Sequence, residues 1–392
     1  MVNRALPLFR TKPISPSKLG IFAACPLSYL LETEKPVGGG LSSTPIALRG
    51  TISHKLIERF TGNPLPTPQE LLDAFQILLT EALAKADASA LLRLAFQARG
   101  SAGVLSSAQV ISACGFVMKI LKSQPQSPRD TFLSPVGRET ANFIGPEKKF
   151  EDEALDLAGY IDLTYVDTEG EIHVVDYKTG RVLAEDGGPR SEYLTQIAAY
   201  GLLVKRKLSL STIFLNLTGN NSVWEGELNP DLEATVLQLV DGVHRIFPRG
   251  EEVNPRNLAI SGGHCQSCNF RPSCDVYMDF LRTSYYGDGR RSLNDVSGQI
   301  VEIKPSGRLA TLRLSTISGN ISIAGVPTDL MQGVSLGKLV DAYGLGYFDD
   351  LTRARFPANF FVYREDNPSA SAFGARLKFG SRLTADSKVV AN

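Results

Sequence analysis

The chain has 392 residues, 43% of them hydrophobic, with 41 Lys+Arg against 41 Asp+Glu. That length supports at least one large buried core and two or three domains. Zero net charge excludes a molecule drawn onto nucleic acid by its overall field, and leaves only a local basic groove to displace counterions from phosphates. No run approaches the ~20 apolar residues of a membrane span. Met1 to Pro16 also lacks the apolar core of a secretory signal, so a cytoplasmic location is expected. Five cysteines, an odd count in a reducing compartment, point to metal ligation rather than a disulfide framework.

In chain order, Ile14-Ser15-Pro16-Ser17 starts a helix that runs as one amphipathic stretch to about Leu31 and carries Cys25. A Gly/Ser/Pro-rich loop from Pro36 to Pro45 ends this unit. A second helix begins near Arg49-Gly50-Thr51 and sets His54, Ile57, Glu58 and Phe60 at helical spacing. Residues 68–121 then form two or three Ala- and Leu-rich helices, a helical insertion with no visible chemistry. Cys114 lies there in the apolar run Val110 to Leu121 and reads as a small buried hydrophobe.

From Glu139 the pattern shortens to strands at Thr140 to Phe143, Leu155 to Val166 and Glu171 to Tyr177. The turn Asp167-Thr168-Glu169-Gly170 joins the last two as a hairpin. A polar loop from Thr179 to Ser191 leads into a helix with Tyr193, Ile197, Tyr200 and Leu203 at helical spacing. Strands at Thr212 to Leu217 and Ser222 to Leu228 and a helix from Asp231 to Phe247 complete a mixed α/β unit, residues 1–283. Residues 284–366 change texture to five short β-rich runs between glycines, with a helical piece around Thr328 to Met331. This predicts a separate small β-barrel, OB-like or SH3-like. The Ser/Ala/Gly-rich tail, 367–392, is expected to be partly disordered.

The chemistry gathers on the hairpin. Gly159-Tyr160-Ile161-Asp162 places a carboxylate on its first strand, and Asp176-Tyr177-Lys178 places an acid and a lysine two apart on the second. Residues two apart share a strand face, so Asp176 and Lys178 point the same way and Asp162 comes alongside. Paired carboxylates suit a hard divalent cation such as magnesium. Phosphodiester cleavage needs an activated water and neutralised phosphate charge, which metal ions supply, and Lys178 adds a positive donor. An Asp-x-Lys pair alone is more often a plain solvated strand end. Here it has company: Gln196 and Tyr200, four apart, share a helix face suited to a phosphate or a metal-bound water. His54, behind Arg49-Gly50, offers an imidazole ligand.

Arg49-Gly50-x-x-x-His54, Gly159-x-x-Asp162, Asp176-Tyr177-Lys178-Thr179-Gly180 and Gln196-x-x-x-Tyr200 resemble, in order and spacing, the motifs of the RecB-type branch of the PD-(D/E)XK nucleases. The resemblance implies a restriction-endonuclease-like α/β core, a mixed sheet flanked by helices. It implies one or two Mg2+ or Mn2+ ions held by His54, Asp162, Asp176 and the main-chain carbonyl of Tyr177. It further implies that Lys178 assists the nucleophile and that Gln196 and Tyr200 support DNA and the active-site geometry. Asp176 stands where many members carry Glu, which shortens the reach to metal by one methylene. The resemblance covers roughly the first two-thirds of the chain and stops before the C-terminal barrel.

Cys265-x-x-Cys268 followed by Cys274 puts three thiols in one short loop, with Cys25 the candidate fourth. By spacing alone a structural zinc and an iron–sulfur cluster fit equally well. The arrangement of one distant cysteine plus Cys-x2-Cys-x5-Cys resembles the iron–sulfur subgroup that includes AddB-type subunits and CRISPR-associated RecB-like exonucleases. That resemblance implies a 4Fe-4S cluster clasping the first helix to the end of the nuclease fold. The resulting expectation is a DNA exonuclease or flap-type nuclease on single-stranded ends, in repair, recombination or defence. Arg49, Arg353, Arg355 and Arg364 are candidate DNA contacts, although a solvated basic surface explains them equally well. The alternative is a non-catalytic DNA-binding or assembly subunit of a helicase or integrase complex, with a structural or redox-sensing cluster. No Gly-x-x-x-x-Gly-Lys-Ser/Thr motif occurs, so unwinding requires a separate helicase.

Overall fold

The computed structural model describes residues 8–34, 45–84, 104–124, 145–253 except 168, 258–280 except 272, 273, 275, 278 and 279, and 295–363 with short breaks at 317–318, 329–330, 332–333, 343–345, 348–352 and 356–360. The expected strand from Thr140 to Phe143, the loop from Pro36, Arg364 and the 367–392 tail lie outside the described residues.

Two prolines shape the N-terminal unit. Pro16 opens helix α1, Pro16–Ala24, where a missing N–H costs nothing. Pro26 forces the residue before it out of the helical region, so Cys25 is extended at φ −159° and ψ 105° and a new helix α2 starts, Pro26–Glu34. The single stretch expected to reach Leu31 is therefore two helices, with Cys25 at their corner. Helix α3, Pro45–Phe60, starts upstream of Arg49 on another proline. Helices α4, Pro68–Ala84, and α5, Ser107–Ser123, follow. Each begins with a reciprocal side-chain cap, Thr67 with Glu70 and Ser106 with Gln109.

A five-stranded sheet runs β2 (Gly145–Asp152), β3 (Leu157–Val166), β4 (Ile172–Lys178), β5 (Phe214–Gly219), β6 (Val223–Glu227), in that order. Only β4 and β5 are parallel. A parallel neighbour needs a crossover, which helix α6, Ser191–Leu208, supplies. Side chains alternate along β4: Ile172 and Val174 enter one core, Val175 and Tyr177 the other. The strand is therefore buried on both faces. The first core holds residues of α1, α2, α6 and helix α7, Pro230–Ile246; the second holds α3, α4 and α5, including Cys114.

The N-terminus is stitched to this body. Strand β1, Leu8–Phe9, pairs with β7, Glu252–Val253. Arg10, 1% exposed, donates to the Phe247 carbonyl at 2.8 Å and pairs with Asp156 at 2.7 Å.

The C-terminal sheet has its own core of Val296, Ile300, Leu312, Leu314, Ile321 and Ile323 among others. Strands β8 (Val296–Ser306), β9 (Leu309–Thr316) and β10 (Gly319–Pro327) form an antiparallel meander. Strand β11, Leu339–Ala342, returns beside β8. The sequence predicts five strands and the sheet has seven. The unforeseen pair are β12, Gly346–Tyr347, and β13, Arg353–Arg355, too short to show a period; β14, Phe361–Tyr363, ends the sheet. No helix among the described residues is long and apolar enough to cross a membrane.

The substitution Asp156→Ala leaves the buried Arg10 guanidinium without its carboxylate. A loss of about 3 kcal/mol of unfolding free energy is expected in urea titration. A loss no larger than that of an exposed pair, under about 1 kcal/mol, would show that Arg10 finds water instead.

Candidate active site

The site forms where β3 and β4 part. Their last paired residues at this end are Leu163 and Val175. Beyond them the Asp162 carboxylate takes the place of a ladder carbonyl, its Oδ2 accepting the Tyr177 N–H at 2.6 Å. Its Oδ1 faces His54 Nδ1 of α3 at 3.2 Å. Asp176, 2% exposed, accepts a hydrogen bond from Gln196 Nε2 at 3.0 Å on Oδ1 and has Lys178 Nζ 2.7 Å from Oδ2. Lys178 Nζ in turn donates to Gln196 Oε1 at 3.0 Å, closing a triangle, and lies 5.2 Å from the centre of the Tyr193 ring.

The structure thus brings together His54, Asp162, Asp176, Lys178 and Gln196. Tyr200 lies one helical turn after Gln196 and packs on Gly159. A Cβ at residue 159 would meet Tyr200 Cε1 at 2.8 Å and Pro16 Cδ at 3.0 Å, which is why the Gly-x-x-Asp segment needs its glycine. Arg49 is partly buried on α3, where its carbonyl accepts from Ser53 Oγ. Arg353 and Arg355 lie on β13, apart in sequence from the matched region, and Arg364 is outside the described residues.

Burial pushes the Asp176 carboxyl above its usual range, against the pull of Lys178. Burial alone would lower the His54 pKa, but the Asp162 hydrogen bond and the charges of Asp162 and Asp176 outweigh it and raise it. Lys178 behaves alike: burial opposes its charge, Asp176 restores it, and the net shift is upward. Burial also raises Tyr200, which stays a neutral phenol. The Asp176 Oδ2 atom lies 2.7 Å from Lys178 Nζ, which meets its charge. A buried carboxylate beside a second carboxylate and an imidazole fits a hard divalent cation.

One residue of the site escaped the sequence reading. Glu147 on β2 brings its carboxylate within 4.8 Å of the ligand atoms of His54 and Asp162. Burial first, then the charges of Asp162 and Glu58, push its pKa up to about 7. In sequence it sits in Gly145-Pro146-Glu147-Lys148-Lys149, which has no motif signal. A second group, Asp167, Glu171 and His173, lies at the other end of the hairpin. There Asp167 accepts the Glu169 and Glu171 N–H groups and holds His173, so the turn itself accounts for it.

The cysteines Cys25, Cys265, Cys268 and Cys274 come within electrostatic reach of one another, although no three of their sulfur atoms lie within 4.8 Å of one another. Cys25 Sγ accepts the Ile260 N–H at 3.5 Å, and Ser28 Oγ donates to Cys268 Sγ at 3.4 Å. Burial pushes Cys265 up to about 11 and Cys274 up to about 12, and the charges of Cys25 and Cys268 act on both in the same direction.

The family model of the PD-(D/E)XK nuclease superfamily matches residues 13–275, from just before α1 to just past Cys274. The chain belongs to that superfamily. Its activity is accordingly that of a metal-dependent nuclease, a hydrolase of phosphodiesters. No curated protein matches the chain. Among solved structures, the crystal structure of SSO0001 is 14% identical, covers 58% of this chain and 95% of its own, and superposes with a TM-score of 0.27.

Because His54 and Asp176 hold protons more tightly than usual, protons compete with the cation. Calorimetric affinity for Mn2+ is expected to rise from about pH 6 to about pH 8 and then level off. A flat profile over that range would mean that neither group changes protonation on binding.

Proposed function

We propose that this PD-(D/E)XK protein is a deoxyribonuclease using Mg2+ or Mn2+, acting as an exonuclease or flap-type nuclease on single-stranded ends. The observation that carries the reading is the convergence of His54, Asp162, Asp176 and Lys178 where β3 and β4 separate. His54, Asp162, Asp176 and the Tyr177 main-chain carbonyl would hold the cation. When bound, it lowers the pKa of a water and neutralises phosphate charge. Lys178 keeps its proton at Nζ and presents positive charge to the scissile phosphate. Gln196 orients both Asp176 and Lys178, so it is a positioning residue. Tyr200 walls the site by packing against Gly159.

The strand connectivity of the C-terminal unit supports the single-strand preference. A flat sheet would separate β13 from β14 by five strand spacings, about 24 Å, whereas the chain from Arg355 to Phe361 reaches at most about 21 Å. The sheet therefore curls. A three-strand meander, a fourth strand beside the first, and a last stretch pairing with β10 on one side and β11 on the other support an OB-type barrel. Such grooves track single strands by stacking and charge, and Arg353 and Arg355 lie on a strand of this unit. For the four cysteines we propose a 4Fe-4S cluster, with structural zinc the alternative.

Degradation of end-labelled single-stranded DNA with Mg2+ is expected for the wild-type chain and is expected to fall at least 1000-fold in Asp176→Ala. Equal inactivity of both proteins would sink the enzymatic reading. Anaerobically purified protein is expected to absorb broadly near ~400 nm with about four irons per chain; a colourless protein with one zinc would remove the iron–sulfur assignment and leave the nuclease standing.

A further inference from the structure

Glu147 is placed by the register of the sheet. On β2 and β3, Pro146 pairs with Leu163 and Lys148 with Ile161, which sets Glu147 opposite Asp162. Opposed residues of an antiparallel pair project to one face with Cβ atoms ~5 Å apart, and like charges there repel. The charged groups that bear on Glu147 are Asp162, Glu58 one turn after His54 on α3, and His54 itself. A single imidazole, already hydrogen-bonded to Asp162, faces three carboxylates. The backbone adds to the cost: Glu147 has φ +50°, a left-handed conformation that an L side chain seldom adopts. The ligand atoms of Glu147, His54 and Asp162 all lie within 4.8 Å of one another, and the buried Asp176, ion-paired to Lys178, acts on His54 across the same space. Opposed carboxylates with an imidazole between them are relieved by a divalent cation held among their ligand atoms.

We propose that Glu147 is a further side-chain ligand of the divalent cation, acting with His54 and Asp162. The inference rests on the metal-dependent nuclease reading. It adds a third carboxylate to the donor set, so that the two charges of the ion and the Lys178 ammonium together face three carboxylates and the ion is held more tightly. A purely structural Glu147 would be replaceable by glutamine without effect on metal affinity.

The test is Mn2+ binding to the full chain at pH 8, read by calorimetry and by loss of the free-Mn2+ paramagnetic resonance signal, with no substrate present. Glu147→Gln is expected to weaken binding at least tenfold. Without metal it is expected to melt no lower than wild type, because the opposed charges are gone. Mn2+ affinity within twofold of wild type in Glu147→Gln, while Asp176→Asn loses binding, would overturn the inference and leave the nuclease reading intact. No binding to the wild-type chain would overturn both. If Glu147→Gln does not fold, Glu147→Asp, which keeps the charge and shortens the reach, is held to the same tenfold criterion.

Discussion

Everything at the site follows from one constraint, an acidic side chain on a strand covered on both faces. Along β4 the alternation Ile172, Val174, Asp176 reserves the third place for an apolar residue facing the first core. Carrying a carboxylate there costs several kcal/mol unless its charge and lone pairs are met. Lys178 meets the charge and Gln196 meets one oxygen. Gln196 rides on α6, whose next residues Ile197, Ala198 and Ala199 are fully buried in that core. Docking α6 and assembling the site are therefore one event.

The docking of α6 depends in turn on the N-terminal helices. Gly20 of α1 approaches the Glu192 backbone of α6 so closely that a Cβ would lie 3.0 Å from Cα. Pro16 at the start of α1 closes on Gly159, the glycine against which Tyr200 packs. Cys25 at the corner of α1 and α2 meets the segment around Leu258 and Ile260. These contacts of Cys25 tie the helix pair that backs the active site to the segment before the cysteine loop. The cysteine loop also reaches the other way. Arg271 donates to the Cys268 carbonyl and to both oxygens of buried Asp295, which also accepts from Tyr277 and directly precedes β8. A change at the thiols has a short covalent and hydrogen-bonded route to the C-terminal sheet.

Much of this was legible in the sequence because the motif residues sit in regular elements. Period-two and period-3.6 spacings placed Asp162, Asp176, Lys178, Gln196 and Tyr200 on the strands and helix that carry them. His54 was readable for the same reason. The corner at Cys25 was legible too, since Pro26 signals a break, but the apolar run continuing through Leu31 masked it. Glu147 was not legible. Its place depends on the register of β2 against β3 and on a left-handed backbone between Pro146 and Lys148, and neither leaves a local pattern. The two extra C-terminal strands were hidden because two or three residues cannot display a period. Arg10, buried just before the exposed Thr11, Lys12 and Pro13, reads in sequence as an ordinary terminal charge; its partners Asp156 and Phe247, far along the chain, reveal the stitch.

The charge balance of the whole chain now has a local counterpart. Asp162, Asp176, Glu147 and Glu58 lie around one cleft with His54 and Lys178 as the cations acting there. Without metal, that cleft repels a phosphodiester, and a molecule with zero net charge has no global field to overcome the repulsion. Substrate affinity must then come from cation loading at the cleft or from basic surface elsewhere. Screening at physiological salt acts over roughly 8 Å, so a distant basic surface cannot cancel the repulsion at the scissile phosphate itself. On the nuclease reading, metal therefore precedes productive phosphate binding, and a C-terminal unit that holds the strand contributes retention rather than the local charge reversal that lets the phosphate approach Lys178.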